Sequence, residues 1–410
     1  MQANPHQVCI LGLGYIGLPT AAILSQHGYQ IKGVDINPKV VETINQGKIH
    51  IVEPDLDLVV SEAVHNQKLS ASTTPSAADI FIVCVPTPFH KNDNGIPQPN
   101  IDYVLAAAQS IIPVLKPGNI VILESTSPVG TTEKVGEIFN LAGLSPDHIH
   151  LAYCPERVLP GKILQELIHN DRVVGGLTPA ATTLVQTFYQ TFCQGQILTT
   201  DARTAELCKL TENAYRDVNL AFANQLSMLC PHLGIDVREL IHLANHHPRV
   251  NILQPGCGVG GHCIAVDPWF IAAADPENTS LIQTARHIND SKPQWVVQQI
   301  ITLAQEFQQK YHRAPTIGCF GLAFKPNVDD LRGSPALEIA TTLISSGYSV
   351  LVVEPNLEYH VSLELTPWKL ALENADILVF LVGHREFIGL DLANKPYLDF
   401  CGTIPGHLNN

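Results

Sequence analysis

The stretch "VCILGLGYIGLPTAAILSQHG", residues 8–28, restricts the fold more than any other. "VCILGLG" is an apolar strand run that ends in glycines. "YIGLPTAAILSQHG" reads as a helix that closes on Gly28, a C-terminal stop signal. Between them Gly12, Gly14 and Gly17 make a GxGxxG, and the second strand run, "YQIKGVDIN", ends near Asp35. A strand that turns into a helix through these glycines, with an acid about 20 residues on, is the pattern of a dinucleotide-binding βαβ unit. Gly12 allows the tight turn, Gly14 lets the backbone approach a pyrophosphate, and Gly17 permits close helix packing. Tyr15 and Ile16 enter the helix, whose N-terminus offers amides and a favourable dipole. Asp35 would accept hydrogen bonds from ribose hydroxyls and repel a 2′-phosphate, so NAD is expected rather than NADP.

Two later runs, "DIFIVCVPTP" and "NIVILESTSPVG", are continuously apolar and end in polar residues. Such runs suit a parallel sheet covered on both faces. Ligands of open α/β sheets bind beyond the carboxyl ends of the strands, where Thr87, Glu124 and Thr126 fall. The pattern then changes. "TAELCKLTENAYRDVNLAFANQLSMLC" reads as one long helix, with Leu207, Leu210, Ala214, Val218, Ala221 and Leu226 as an apolar stripe. Glu206, Lys209, Asn213 and Arg216 form a polar file on another face. The last hundred or so residues echo the first. "GYSVLVVEPN" matches "GYQIKGVDIN", and "ADILVFLV" matches "ADIFIVCV", in the same order. The expected class is therefore α/β: two Rossmann-like parallel-sheet domains joined by a central helical region with a long helix. The second unit lacks a tight GxGxxG and is not expected to hold a dinucleotide as the first does.

A chain of 410 residues is too long for one ordinary core. No run of about 18 uncharged apolar residues occurs, so no membrane span is expected. The N-terminus lacks a basic, signal-like region, so the expected compartment is the cytoplasm. A net charge of -14 argues against a nucleic-acid partner. The 10 cysteines form no CxxC and the 18 histidines are dispersed, so no metal site is expected.

A second feature asks for chemistry. In "PGCGVGGHCIAVDPWF", residues 255–270, four glycines precede Cys263, and Asp267 follows one helical turn later. A glycine-rich loop can bring backbone amides close to a substrate. A cysteine at its end can offer a nucleophile to a carbonyl carbon, with amides or a lysine holding the oxyanion. A carboxylate beside a thiol disfavours the thiolate, so Asp267 reads as a positioner of water or a proton acceptor. A buried loop cysteine fits this segment equally well.

Six motifs together settle the comparison: "GLGYIGLPTA" (12–21), "ESTSPVGTTEK" (124–134), "YCPERVLPG" (153–161), "TAELCKLTENAYRDVNLAFANQL" (204–226), "GVGGHCIAVDP" (258–268) and "GLAFKPNVDDLRGSP" (321–335). Over nearly its whole length the chain resembles the UDP-glucose/GDP-mannose dehydrogenase family. It is most similar to the branch that oxidises UDP-N-acetyl-D-mannosamine, through "IHIVEPDL" (49–56), "NHHPRVNILQPG" (245–256) and "HCIAVDPWF" (262–270). Val266 stands where the UDP-glucose branch usually has a lysine.

The resemblance implies a four-electron oxidation of a sugar C6 alcohol to a carboxylate, with two NAD reduced and a cysteine-bound intermediate. It assigns the nucleophile to Cys263, oxyanion stabilisation to Lys209 and Asn213, and acid/base or water-positioning work to Asp267 and Glu156. Thr126 would lie near the nicotinamide, with Thr87 also at the cofactor, and Arg332 near the NAD pyrophosphate. Arg157, Arg216, Arg249 and Lys325 would meet the substrate diphosphate. Val158, His247 and Gly260 complete the substrate contacts. The expected domains are 1–200 for NAD, 201–305 for a central helical dimerisation region, and 306–410 for UDP. The expected partners are a UDP-sugar and a second copy of the chain. UDP-N-acetylglucosamine and UDP-glucose are the nearest rival substrates. A two-electron dehydrogenase of the 6-phosphogluconate type is a more distant rival.

Overall fold

The computed structural model describes residues 7–90, 96–145, 148–159 and 161–404. The chain divides into two compact units, one up to Thr211 and one from Glu212 onward. The first holds strands β1 (Gln7–Leu11), β2 (Gln30–Val34), β3 (Leu69–Ser72), β4 (Ile80–Val83), the short β5 (Phe89–His90) and β6 (Gln98–Pro99), then β7 (Ile120–Leu123), β8 (His150–Tyr153), β9 (Arg172–Gly176) and β10 (Ile197–Asp201). Between them run helices α1 (Gly17–Gln26), α2 (Pro38–Asn45), α3 (Leu56–His65), α4 (Asp102–Ile111), α5 (Thr131–Leu141), α6 (Ile163–His169) and α7 (Pro179–Tyr189).

Eight of these strands form one sheet in the order β10-β9-β8-β7-β4-β1-β2-β3. The alternation of side chains along each strand explains the apolar runs. Val8, Ile10, Ile82 and Ile122 enter one core, and Cys9, Leu11, Phe81, Val83 and Leu123 enter a second one. Helices cover both faces, so neither set of side chains meets water. The sheet departs from the expected parallel pattern at one place. β9 pairs antiparallel with β8, through Ala152–Gly176 and Tyr153–Gly175. Among the described residues, the connection between them carries the short α6, and its entry turn is pinned by Glu53. That carboxylate accepts hydrogen bonds from Gly161 N at 2.8 Å and Ile163 N at 2.7 Å.

The second unit contains the later part of the long helix α8 (Ala202–Leu229), then α9 (Val237–Ala244), α10 (Asp267–Ala274) and α11 (Ser280–Tyr311). A four-stranded parallel sheet follows, built from β11 (Thr316–Phe320), β12 (Ser349–Val353), β13 (Ile377–Phe380) and β14 (Tyr397–Asp399), with α12 (Pro335–Ser345) and α13 (Trp368–Asn374). Its first three strands repeat the start of the first unit. β1 lies between β2 and β4, and β11 lies between β12 and β13. Gly12 N donates to Val34 O at 2.8 Å, and Gly321 N donates to Val353 O at 2.8 Å. Both glycines have φ near +90°.

On α8 the apolar stripe divides. Leu210, Ala214 and Ala221 are buried, Val218 and Leu226 are half-buried, and Leu207 is exposed. A different stripe faces outward: Tyr215, Phe222 and Leu229, one per heptad. Among the described residues, no helix is long and apolar enough to cross a membrane.

Candidate active site

In the first unit the parallel strands deliver Gly12, Asp35, Cys84 and Glu124 to one edge of the sheet. A Cβ on Gly17 would lie 1.8 Å from Gly12 O, and one on Gly12 would lie 2.7 Å from Cys84 O. Both positions are therefore closed to any side chain. A Cβ on Gly14 would meet nothing within 4 Å, so the backbone there faces open space, as approach by a pyrophosphate requires. Asp35 accepts from Leu13 N at 3.1 Å and from Asn37 N at 2.9 Å, one oxygen each. A carboxylate offers about four acceptor directions, so each oxygen retains one for a ribose hydroxyl. These residues fit NAD. Tyr15 is exposed and Ile16 half-buried at the entry to α1. Thr87 donates to Thr126 O at 2.6 Å, joining the ends of β4 and β7.

Behind this edge lies a buried charged cluster. Arg172 Nη1 is 3.0 Å from Glu156 Oε2. The same guanidinium stacks over the Tyr189 ring, 4.7 Å from its centroid, and Nη2 donates to Leu167 O. Tyr189 OH donates to Glu124 Oε1 at 2.5 Å, and Cys84 Sγ donates to Glu124 Oε2. Burial pushes the Glu124 carboxyl up; Arg172 opposes this and Glu156 adds to it. Glu156 also accepts from Arg157 N at 2.7 Å. The Arg157 side chain donates to Asp171 O, and Val158 packs on the core.

Lys209 is half-buried on α8. Glu206, from the same polar file, is turned to another task. Its carboxylate accepts from Gly130 N at 2.6 Å, Thr132 N at 2.7 Å and Thr132 Oγ1 at 2.6 Å, capping α5. Sequence reading passed over Arg172, Tyr189 and this cap. Local sequence does not identify the partners of such polar residues.

In the second unit Cys263 is exposed. Its carbonyl accepts from Val266 N at 3.0 Å and Asp267 N at 2.9 Å, which makes the turn into α10. Asp267 opens that helix and is buried, and Asn213 Nδ2 donates to its Oδ2 at 2.5 Å. The glycines before Cys263 also have a packing reason. A Cβ on Gly260 would lie 2.5 Å from Gly333 O, and one on Gly258 would lie 2.8 Å from Pro335. Gly261 N donates to Arg332 O at 3.2 Å, so Arg332 joins the thiol loop through its backbone. Its side chain pairs with Asp330 at 2.7 Å.

Lys325 is half-buried beside Phe324, whose ring packs on Gly261. The segment that carries it is held at both ends by a buried pair, Glu354 and His384. Glu354 Oε2 accepts from Leu322 N at 2.7 Å, Ala323 N at 2.9 Å and His384 Nε2 at 3.1 Å. Asn327 N donates to His384 Nδ1 at 3.0 Å, which puts the ring proton on Nε2. Glu354 occupies the place of Asp35, yet its oxygens are spent on the loop. With both oxygens so engaged, Glu354 offers a ribose fewer acceptor positions than Asp35 does. Arg216, His247 and Arg249 are exposed, and Arg249 N donates to His247 Nδ1 at 3.3 Å.

Burial pushes the Glu354 carboxyl up, but the His384 hydrogen bond and the Leu322 amide outweigh it and bring the pKa to about 2. A depressed carboxylate stabilises the fold above its unfolded value of 4.5 and loses that contribution as pH falls toward 2. The stake is about 3 kcal/mol. We expect the urea midpoint of the full chain to fall through this pH range, and Glu354→Gln to flatten that fall. An identical pH profile in the variant would remove Glu354 as its source.

Comparison with known proteins agrees with this layout. Residues 6–193 match the NAD binding domain of the UDP-glucose/GDP-mannose dehydrogenase family, residues 203–291 its central domain, and residues 318–399 its UDP binding domain. The chain is 54% identical over 402 residues to the UDP-N-acetyl-D-mannosamine dehydrogenase of Escherichia coli, covering 93% of this chain and 94% of that one. It is 52% identical over 400 residues to an NDP-N-acetyl-D-galactosaminuronic acid dehydrogenase of Ralstonia nicotianae, covering 94% and 92%. A solved UDP-N-acetyl-mannosamine dehydrogenase of Staphylococcus aureus superposes with a TM-score of 0.87 at 43% identity, covering 98% of this chain and 96% of that one. With its cradle for NAD and its UDP binding domain, the chain belongs to the UDP-glucose/GDP-mannose dehydrogenase family and is an NAD-dependent UDP-sugar dehydrogenase.

Proposed function

We propose that the protein oxidises the C6 alcohol of UDP-N-acetyl-D-mannosamine to the uronate, with Cys263 holding the sugar between the two oxidations. The observation that carries this reading is an exposed thiol whose own carbonyl anchors the turn into Asp267, itself bonded to Asn213. NAD, when bound, takes up hydride from C6. A bare aldehyde gives up a second hydride only after something adds to its carbonyl. The Cys263 thiolate adds to it as a thiohemiacetal, which on oxidation becomes a thioester, and water then cleaves the C–S bond and returns the thiol.

In this reading Lys209 and Asn213 hold the oxyanion. Asp267 and Glu156 hold the water or move its proton. Arg157, Arg216, Arg249 and Lys325 face the substrate diphosphate, Val158, His247 and Gly260 face the sugar, and Arg332 faces the cofactor pyrophosphate. Thr87 and Thr126 sit beside the nicotinamide. We assign dimerisation to the outward stripe Tyr215, Phe222 and Leu229, whose heptad spacing suits helix pairing. We also assign the protein to the cytoplasm: none of the ten cysteines is in a disulfide, as a reducing compartment requires.

One observation favours a second substrate. The Ralstonia relative, named for a galacto-configured sugar, is about as similar as those named for the manno epimer. The test is to give the purified protein UDP-N-acetylmannosamine, UDP-N-acetylgalactosamine, UDP-N-acetylglucosamine and UDP-glucose with excess NAD. We expect two NADH per sugar, fastest with the manno epimer. A galacto preference would replace the substrate, and one NADH per sugar would replace the mechanism.

A further inference from the structure

Between Gly256 and Val266 the thiol loop forms no helix or strand, yet both its ends are bonded to α8. Asp267 is held by Asn213. At the other end Gly256 N donates to Asn224 Oδ1 at 3.0 Å. Asn213 and Asn224 lie about 16 Å apart along the helix. Asn224 is itself oriented. Its Nδ2 donates to Asn289 Oδ1 at 2.9 Å, and Asn289 Nδ2 donates to Asp217 Oδ1 at 2.8 Å and to Asp217 O at 3.0 Å. Arg286 Nη1 closes the chain on Asp217 Oδ1 at 2.5 Å, and its Nη2 donates to Asp290 Oδ1.

Asn224, Asn289, Asp217 and Arg286 are each 1% exposed. Apolar side chains would fill a helix interface without the desolvation that buried amides and charges carry. A chain of four buried polar side chains between α8 and α11, bonded one to the next and ending on a loop amide, is therefore built to fix that amide.

We propose that Asn224, set by Asn289 and Asp217, is a positioning residue for the thiol: it fixes the entry to the loop so that Cys263 reaches the aldehyde carbon. This inference rests on the reading of Cys263 as the nucleophile. The first oxidation needs no thiol and the second one does. A misplaced loop therefore changes how material divides between aldehyde and uronate, whereas general damage slows both oxidations alike. A displacement of about 1 Å costs on the order of 10²-fold in a step that depends on alignment.

The test compares wild type, Asn224→Ala and Cys263→Ala as full-length proteins, with UDP-N-acetylmannosamine, NAD and hydroxylamine to trap aldehyde. We expect Asn224→Ala to raise the ratio of trapped aldehyde to uronate by about 10²-fold, in the direction of Cys263→Ala. In protein without ligands, carboxamidomethylation of Cys263 by iodoacetamide is expected to be several-fold faster in Asn224→Ala, because the loop entry is released. An unchanged ratio, equal slowing of both oxidations, or unchanged alkylation would overturn the proposal. A Cys263→Ala protein that still makes uronate at the wild-type ratio would overturn the reading beneath it. If Asn224→Ala does not fold, the same two readouts on Asn289→Ala, which leaves the loop bond in place but removes its orienting partner, decide the matter.

Discussion

Cys263→Ala is expected to lower uronate formation by about 10³-fold or more, the scale on which loss of a covalent nucleophile acts. NADH per sugar should fall from two toward one, because the first hydride leaves an alcohol carbon and needs no sulfur. Cys263→Ser should differ in kind. An alkoxide at 263 can add to the aldehyde, but the resulting ester is cleaved by water more slowly than a thioester, so the sugar should remain on the protein. Intact-protein mass spectrometry after one turnover would show the adduct on the serine variant and none on the alanine variant. The geometry makes these outcomes specific. Cys263 is exposed, whereas Cys154, Cys257 and Cys319 are buried, with their thiols pushed up to about 12 by burial. None of those three can substitute for it. Wild-type turnover in the alanine variant would sink the covalent mechanism.

How far the sequence reveals this architecture depends on the range of the interaction concerned. The turn from β1 into α1 is written locally. Its apolar run, three glycines and Asp35 all act within one βαβ unit, and the structure places them as expected. The spacing of Cys263 and Asp267 is local too, and the Asp267 amide does return to the Cys263 carbonyl. The glycines before Cys263 were less legible. Sequence reading offered substrate approach as their reason, whereas Gly258 and Gly260 are also required by Pro335 and Gly333, some 75 residues away in the chain by rough count.

Buried polar partners were not legible at all. Arg172 in "NDRVVGG" stands where a polar stretch meets an apolar one and Asn224 in "LAFANQL" stands beside Gln225, and only tertiary pairing tells what each one holds. The same limit explains the polar file on α8. Periodicity put Glu206, Lys209, Asn213 and Arg216 on one face, but Glu206 caps α5 while Arg216 is exposed. Helical spacing fixes direction around an axis, and it does not say what lies opposite.

Arg172→Met is expected to cost the fold about 3–5 kcal/mol, the range for removing one partner of a buried pair. Arg172 is 3% exposed, with Glu156 at 8% and Glu124 at 3%. Two carboxyl groups thus share one buried cation. Glu124 is already pushed toward its protonated form by burial and is served by Tyr189 and Cys84. Among the described residues, Glu156 has no such pair of side-chain donors. Its Oε2 faces Arg172, and its Oε1 accepts the Arg157 amide. Removing the guanidinium therefore leaves Glu156 as the uncompensated charge, and Glu156→Gln in the Arg172→Met background should recover part of the loss. Urea unfolding of the four proteins in that double-mutant cycle measures the coupling directly. Additive effects would mean that the pair is solvated and that Glu156 owes its position to something else. A strong coupling would mean that the carboxylate proposed to hold water at the reacting carbon is aimed by a cation on the neighbouring strand.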